Sequence, residues 1–262
     1  MVGPVRGLRE PPAVTRVDDI VDAFVARAPH AGALLDFDGT LAPIVPRPEL
    51  ARVLSEIPAL LADIARHVRV VAVISGRPSA EVRDLVGIHG IEIVGTHGLE
   101  NEAPMAPAVF GEIVRVAGSV GAWVEPKGAA AAVHLRGLAD PEAAGAAVAG
   151  RLAVVAAAHD LEVVPGKRIL ELMPAGRPRK GGAVERAVRD HELDAVLFAG
   201  DDVGDLDAFA ALARLHARGV WTCGVVAGAP ETPPEVEAAA DLVVEGPPGV
   251  AALLSAIADR FG

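Results

Sequence analysis

The chain has 262 residues, 52% of them apolar, so it is long enough for one large or two modest domains and too apolar for an intrinsically disordered protein. Its single cysteine, Cys223, excludes an internal disulfide, and its net charge of −11 argues against a nucleic-acid partner, which requires a basic surface. No apolar run approaches the ~18 residues of a membrane span, and the start lacks a continuous apolar leader. A cytoplasmic protein without membrane contacts is therefore expected. The oligomeric state is open, and a monomer is favoured.

Apolar runs alternate with segments of helical period in the first hundred residues and again after residue 180. This alternation predicts an α/β fold with a largely parallel sheet. In the first part we predict strands at 33–37, 68–74 and 91–95, and helices at 48–67 and from 77 onward. Division of the stretch 48–67 into two helices at Pro58 is the alternative. In the second part we predict helices at 180–191, 205–217 and 249–260, and strands at 195–199, 220–226 and 242–244.

The pattern changes between these two parts, where hairpins and helices predict an inserted α+β module. The predicted helices are 107–120 and 141–159, and the predicted strand pairs are 122–125 with 131–136 and 161–164 with 168–173. Proline-rich segments border this module on both sides. We therefore predict a core made of residues 1–103 and 177–262, with an insertion at 104–176.

Acidic residues directly follow the first predicted strand, in the segment Asp36-Phe37-Asp38-Gly39-Thr40. Ligands of open α/β sheets bind outside the carboxyl ends of the strands. Two carboxylates at this spacing, followed by a glycine for a tight turn, can converge on one small volume, and they then need a cation or a shared proton. A polar strand terminus with an Asx turn is the alternative interpretation.

Further polar groups follow other predicted strands or begin a helix. Gly200-Asp201-Asp202 follows a later strand, and carboxylate oxygens of this kind suit Mg²⁺. Ser75-Gly76-Arg77 follows the second strand, and Lys180 begins a helix. A hydroxyl, an ammonium and helix N-terminal amides are what a phosphoryl group requires. Lys180 alone would also fit a solvated surface position.

In this order the motifs closely resemble those of the haloacid-dehalogenase-like phosphohydrolase superfamily, over nearly the whole chain. The resemblance implies that Asp36 is the nucleophile and Asp38 the general acid/base, while Ser75 and Lys180 hold the phosphoryl group. It further implies a Mg²⁺ site. Its ligands would be Asp36, the Asp38 carbonyl, Asp201 and Asp202.

An insertion between Arg77 and Lys180 is the placement of the type-2 α/β cap in this superfamily, and such caps select the substrate. More specifically, the chain resembles the trehalose-6-phosphate phosphatase family. The matching segments are 35–44, 74–77, 95–100, 125–128, 134–136, 166–174 and 200–209. One departure is visible, because Gly204 and Leu206 stand where many members carry threonine and glutamate. The acidic residue between them, Asp205, is kept, so we expect its carboxylate to support the metal, and the choice of direct ligand among Asp201, Asp202 and Asp205 stays open.

This resemblance implies Mg²⁺-dependent hydrolysis of trehalose 6-phosphate through an aspartyl-phosphate, with this small molecule as the partner. It also implies a set of residues that bind phosphate or sugar: Thr40, Ser75, Gly76, Arg77, His97, Glu125, Lys127, His134, Arg136 and Glu171.

Strand geometry is consistent with binding roles for three of these residues. On a strand, His134 and Arg136 share one face, and Glu171 points away from its apolar neighbours. The same pattern would also fit a solvated face of a sheet.

Two other functions stay open at this point. One is a phosphatase with the same core that acts on another sugar phosphate, such as sucrose phosphate or glucosylglycerol phosphate. The other is a non-catalytic phospho-acceptor switch resembling a response-regulator receiver, which also uses clustered aspartates, Mg²⁺ and a lysine but lacks a cap.

Overall fold

The structure is a computed structural model that describes residues 17–96, 103–166, 168–176 and 179–262. Within these residues the strands, numbered in chain order, are β1 Ala31–Leu35, β2 Val70–Ile74, β3 Glu92–Val94, β4 Trp123–Lys127, β5 Ala130–His134, β6 Leu161–Gly166, β7 Ile169–Pro174, β8 Ala195–Gly200, β9 Trp221–Gly228 and β10 Leu242–Glu245. The helices are α1 Val17–Val25, α2 Ile57–Ile64, α3 Ser79–Val86, α4 Pro107–Gly118, α5 Pro141–Ala158, α6 Lys180–Asp190, α7 Leu206–His216, α8 Pro234–Glu237 and α9 Gly246–Asp259.

Six of the strands form a sheet in the order β10-β9-β8-β1-β2-β3, and every pairing in it is parallel. The central strands β1, β2 and β8 are buried throughout, because helices cover both faces of the sheet. One helical layer contains α1, α2, α3 and α9, and the other contains α6, α7 and α8. These elements form the core, and the predicted parallel α/β architecture is confirmed.

The other four strands form an antiparallel sheet in the order β4-β5-β7-β6. Helices α4 and α5 pack on one face of it, where Ile113 and Leu152 contact Val133 and Leu172 in a separate apolar cluster. We call the segment from α4 to β7 the insert, because it interrupts the chain between core strands β3 and β8. The other face of this sheet lies toward the core, and Glu125, Lys127, His134 and Glu171 line the cleft there.

Helix α5 corrects one expectation drawn from composition. By length and hydropathy alone its 18 residues would suffice to cross a membrane, which is weak evidence because the core helix of a soluble protein passes the same test. Val148 and Leu152 of α5 are fully buried against the insert sheet. The expectation that no apolar segment approaches the length of a membrane span is therefore wrong for α5.

Other differences from the predicted elements are local. A continuous helix over 48–67 is wrong, and the alternative of a division near Pro58 is closer, because the segment contains a short 3-10 turn, Pro48–Leu50, and α2 begins only at Ile57. Pro58 lies in the first turn of α2, where its missing N–H costs nothing, and its ring prevents the helix from extending toward the N-terminus. Helices α1 and α8 were not predicted. The remaining predicted elements are confirmed, with ends shifted by a few residues.

Candidate active site

The carboxyl ends of the three central strands bring the predicted motifs together. Asp36 follows β1 directly and is buried, and its backbone N–H donates to the Ala199 carbonyl of β8 over 2.8 Å. Ser75 follows β2, and Asp201 follows β8. Because β1 pairs in parallel with both β2 and β8, these residues lie at one edge of the sheet.

A cluster of buried carboxylates lies at this edge. One ligand atom each from Asp36, Asp201 and Asp205 lies within 4.8 Å of the others. Lys180, the first residue of α6, approaches two of them, with its Nζ 2.8 Å from Asp36 and 2.6 Å from Asp205. The side chain of Lys180 is buried as well. The lysine and the first aspartate that sequence reasoning singled out are therefore in direct contact.

The charges of this cluster do not balance. Burial raises the pKa of Asp36 well above its usual value, and the neighbouring Asp205 and Asp201 raise it further, against the opposing effect of Lys180. Burial alone would lower the pKa of Lys180, but the carboxylates of Asp205 and Asp36 outweigh it and raise that pKa. These four residues thus comprise three acidic groups and one basic group, and the ammonium of Lys180 contacts two of the three carboxylates.

Gly39 is required for the close approach of the two acidic segments. Its backbone has a φ of +83°, and a Cβ atom at this position would lie 2.0 Å from Oδ2 of Asp201. Both the left-handed conformation and the missing side chain therefore favour glycine. The turn at Gly39 lets the segment after β1 fold directly over the end of β8.

The donor set fits Mg²⁺. Carboxylate oxygens are the ligands that this ion prefers, and a dication would offset the excess negative charge. The residues grouped here are Asp36, Asp201 and Asp205, whereas the sequence analysis had placed Asp202 among the ligands. The Asp202 carboxylate instead accepts a hydrogen bond from the Val203 N–H at 2.7 Å. A ligand role for Asp202, like that of the Asp38 carbonyl, stays a prediction.

Asp205 was expected to support the metal but was not placed in the predicted ligand set. It is fully buried, and Oδ2 accepts hydrogen bonds from the backbone N–H groups of Asp201 at 2.9 Å and Asp202 at 3.1 Å. Its Oδ1 accepts from Lys180. The available sequence signal was the third acidic residue, four positions after Asp201, which a 3-10 turn at Val203–Asp205 brings back to the strand end.

Asp38 lies beside this cluster and is held by Arg77. The guanidinium donates from Nε to Asp38 Oδ2 at 2.7 Å and from Nη2 to Oδ1 at 2.8 Å. Its Nη1 donates to the Pro48 carbonyl at 3.0 Å and to the Glu81 carboxylate. Burial would lower the pKa of Arg77, but Asp38 and Glu81 outweigh it and raise that pKa.

The small polar residues predicted to bind phosphate take separate positions. Ser75 and Gly76 line the cleft at the end of β2, and Ser75 Oγ accepts from the Arg77 N–H at 3.1 Å. Thr40 is fully buried, and its Oγ1 has no hydrogen-bond partner within the described part of the chain. His97 lies outside the described residues. The predicted binding roles of these residues stay predictions.

The insert presents charged side chains to the same cleft. Lys127 Nζ lies 3.0 Å from Glu171 Oε1, and His134 Nε2 lies 2.8 Å from Glu125 Oε2. Glu125, Ala132 and Glu171 are paired across the neighbouring strands β4, β5 and β7. Because the middle strand carries only an alanine there, the polar side chains on either side can meet above it.

The ionisation of the insert residues reflects this mutual pairing. Burial would raise the pKa of Glu125, but its hydrogen bond with His134 and the charge of Lys127 lower it. Burial would lower the pKa of Lys127, but the charges of Glu171 and Glu125 raise it. The insert residues therefore stabilise one another as ions. As predicted, Glu171 points away from Leu170, which packs in the apolar cluster of the insert.

Arg136 differs from the predicted geometry. Strand β5 ends at His134, so Arg136 lies in the following turn and not on the strand face. Its Nη1 donates to the Val45 carbonyl of the core at 3.3 Å. Burial lowers the pKa of Arg136, with Asp38 as the main opposing charge. The side chain thus connects the insert to the core beside the carboxylate cluster.

Core and insert together enclose a cleft of about 130 Å³. Asp36, Ser75 and Lys180 line its core side, and Glu125 and Glu171 line its insert side. The volume is smaller than the ~300 Å³ at which pockets for small molecules usually begin. The two parts therefore leave little free space between them.

The fold is that of haloacid-dehalogenase-like hydrolases. A haloacid dehalogenase-like hydrolase from Bacteroides thetaiotaomicron superposes with a TM-score of 0.62 over 89% of this chain and 100% of its own, at 15% identity. The C-terminal domain of trehalose-6-phosphate phosphatase from Candida albicans superposes with a TM-score of 0.77 over 95% of this chain and 98% of its own, at 22% identity.

Sequence comparison identifies the family to which the chain belongs. The trehalose-phosphatase family matches residues 34–110 and 114–237, and the chain belongs to this family. It is 33% identical to the trehalose-phosphate phosphatase of Mycobacterium avium, over 73% of this chain and 54% of that protein. It is also 35% identical, over 68% of its length, to 15% of an uncharacterized glycosyl hydrolase from Mycobacterium tuberculosis. The chain thus spans about half or less of the length of these relatives.

Proposed function

We propose that this protein is a Mg²⁺-dependent phosphatase that hydrolyses trehalose 6-phosphate to trehalose and phosphate. The observation that carries the proposal is the pairing of two unlike surfaces across one cleft. Asp36, Lys180 and two further carboxylates form the core side, and the charged pairs Lys127–Glu171 and His134–Glu125 form the insert side. A phosphate suits the first surface, and a polyhydroxylated sugar suits the second.

The first half of the reaction places Asp36 as nucleophile. Its carboxylate attacks phosphorus, so that an Asp36–phosphorus bond forms while the bond from phosphorus to the sugar oxygen breaks. Asp38 gives its proton to that oxygen, and trehalose leaves. Lys180 stabilises the negative charge on Asp36 and on the phosphoryl oxygens throughout.

The second half regenerates the enzyme. Asp38 now takes a proton from water as the water oxygen bonds to phosphorus, and the bond to Asp36 breaks, which releases phosphate. Asp36, Asp201 and Asp205 would hold Mg²⁺. The bound ion supplies positive charge that offsets the carboxylates and the phosphoryl group.

We further propose that the insert, within the predicted range 104–176, acts as a mobile cap. A disaccharide phosphate does not fit the closed cleft of about 130 Å³, so the insert has to move away for substrate to enter. Trehalose is neutral and rich in hydroxyl groups, so it must be recognised by hydrogen bonds. Lys127 and Arg136 donate, Glu125 and Glu171 accept, and His134 can do either. The predictions that the reaction takes place in the cytoplasm and that the protein is a monomer are kept.

Phosphate release from a panel of substrates tests the proposal. Trehalose 6-phosphate should be turned over with the highest kcat/KM, well above sucrose 6-phosphate, glucosylglycerol phosphate and glucose 6-phosphate. Turnover should stop in EDTA and resume with Mg²⁺. A preference for another sugar phosphate would transfer the proposal to that substrate, and stable phosphorylation of Asp36 without turnover would favour the phospho-acceptor switch.

A further inference from the structure

The contacts of Arg77 point to a role that differs from phosphate binding. Its Nε and Nη2 both bind the Asp38 carboxylate, and Nη1 binds the Pro48 carbonyl and Glu81. Four of the five guanidinium N–H groups are thus engaged within the protein. The guanidinium also lies over the Phe37 ring, 5.3 Å from its centroid. Little of it remains to hold a phosphoryl group.

We propose that Arg77 is a positioning residue for Asp38, a proposal that rests on the acid/base role assigned to Asp38 above. The two parallel hydrogen bonds fix the plane of the carboxylate, which a single donor could not do. The guanidinium is itself held by two contacts of Nη1, one with the Pro48 carbonyl in the 3-10 turn Pro48–Leu50 and one with Glu81 of α3. Because Arg77 is itself held by the core, its two hydrogen bonds restrict the rotation of the Asp38 side chain.

Asp38 needs this support because of where it lies. It follows the end of β1 by three residues, and its side chain is 34% exposed, whereas that of Asp36 is only 7% exposed. The charge of Asp38 also reaches Lys127 and Arg136 of the insert. Without Arg77, these cations could attract Asp38 away from the leaving oxygen as the insert closes.

The position of Arg77 in the chain makes this role possible. Its backbone N–H donates to Ser75 Oγ, and its carbonyl accepts from the Thr96 N–H at 2.8 Å. Both contacts tie residue 77 to the carboxyl ends of β2 and β3, the part of the sheet next to β1. The pair Arg77–Asp38 thus connects two neighbouring strand ends across 39 residues of chain.

Steady-state kinetics with p-nitrophenyl phosphate test the role separately from sugar recognition. Arg77→Ala should lower kcat about tenfold to a hundredfold, the effect of losing charge-assisted hydrogen bonds, and leave KM nearly unchanged. Arg77→Lys keeps the charge without the two parallel donors, so it should recover little of the loss. Arg77→Gln replaces Arg77→Ala if that variant fails to fold.

The matched control is Arg260→Ala. Arg260 also binds carboxylates through Nε and Nη2, namely Asp22 and Asp18, but at the surface between α9 and α1. This variant should retain wild-type kcat. A rise in KM at constant kcat in Arg77→Ala would instead make Arg77 a phosphate ligand and overturn the proposal, as would full recovery by Arg77→Lys.

A double-mutant cycle tests whether Arg77 acts through Asp38. In an Asp38→Asn background, Arg77→Ala should cause a further loss of no more than about twofold, because the group that it positions is already gone. Fully additive losses would contradict the proposal. If the wild type hydrolyses p-nitrophenyl phosphate but not trehalose 6-phosphate, the proposed substrate fails while this cycle still decides the role of Arg77.

The contact itself can be tested without turnover. In protein labelled with ¹⁵N-arginine, the Arg77 Nε–H signal should be protected from exchange with water in the wild type and should lose this protection in Asp38→Asn. Unchanged protection in that variant would show that Asp38 is not the partner of Arg77 in solution, and the proposal would fall.

Discussion

The two sides of the cleft differ in how their acidic and basic side chains are paired. On the core side, the carboxylates of Asp36, Asp201 and Asp205 lie together, and the Lys180 ammonium contacts two of them, Asp36 and Asp205. On the insert side, Lys127 is paired with Glu171 and His134 with Glu125, while Arg136 donates to the Val45 carbonyl of the core. The carboxylate cluster of the core can therefore accept a cation. The hydrogen-bonding groups of the two insert pairs are already paired with each other.

This difference indicates a division of labour. A surface with excess negative charge binds a dication and, through it, a phosphate. A surface of paired ions exerts little net field but offers donors and acceptors at fixed positions, which suits a neutral sugar. Substitutions on the two sides should therefore have different consequences for different substrates.

The largest effect is expected at Asp36. Asp36→Asn removes the proposed nucleophile, so turnover should fall by at least about a thousandfold on trehalose 6-phosphate and on p-nitrophenyl phosphate alike. Phosphate release measures this loss, and mass spectrometry of the variant checks for deamidation back to aspartate. Substantial residual turnover in a preparation free of deamidation would contradict the assignment.

The next largest effect concerns the metal. Asp201→Ala should raise the Mg²⁺ concentration for half-maximal activity by at least about tenfold, because a buried ligand is lost. Asp202→Ala is the matched comparison. It removes the hydrogen bond to Val203, so it should lower stability more than Mg²⁺ affinity. Full activity of the wild type in EDTA would refute the metal site.

Substitutions in the insert should affect one substrate only. Lys127→Ala and Glu171→Ala should each lower kcat/KM for trehalose 6-phosphate by about tenfold or more, since a hydrogen bond to a charged group contributes roughly 1.5–3 kcal/mol. Both variants should hydrolyse p-nitrophenyl phosphate at nearly the wild-type rate. Equal losses on both substrates would indicate a general role in folding or catalysis, and no loss on either would indicate a solvated face.

The smallest effect is on stability. Because the pKa of Asp36 is raised in the folded state, its ionisation destabilises the metal-free protein as pH rises from the unfolded pKa through the folded one. Metal-free Asp36→Asn should therefore melt at a higher temperature than the wild type near neutral pH. Its amide oxygen can still accept from Lys180.

The pH dependence of this difference provides the control. The gain in Tm should vanish below about pH 4, where the carboxyl group is protonated in both states of the wild type. Asp190→Asn, at an exposed position at the end of α6, should show no such trend. A gain that stays constant from acidic to neutral pH would disprove the electrostatic explanation.

The convergence of Asp36, Ser75, Lys180 and Asp201 could be predicted from the sequence. The first, second and fourth follow buried strands, and parallel strands end at one edge, so their meeting needs no knowledge of side-chain packing. The same holds for the insert, whose hairpins and prolines break the β–α alternation. These features depend on local pattern and topology alone.

Contacts between distant segments could not be predicted. The hydrogen bond from Arg77 to Asp38 spans 39 residues and that from Lys127 to Glu171 spans 44, so each depends on how whole strands are placed. The choice between Asp202 and Asp205 in the carboxylate cluster depends on a single 3-10 turn. The turn contains a capping box between Asp202 and Asp205, but this short pattern does not decide which of the two carboxylates joins the cluster.

The most direct test of the division of labour is the rate at which Asp36 becomes phosphorylated. Rapid mixing with ³²P-labelled trehalose 6-phosphate or p-nitrophenyl phosphate, followed by acid quenching and peptide mapping, measures this step. We predict label on Asp36 from both substrates in the wild type and from neither in Asp36→Asn. In Lys127→Ala, labelling should be at least about tenfold slower from the sugar phosphate only. Label on another residue, or equal slowing with both substrates in Lys127→Ala, would contradict the account.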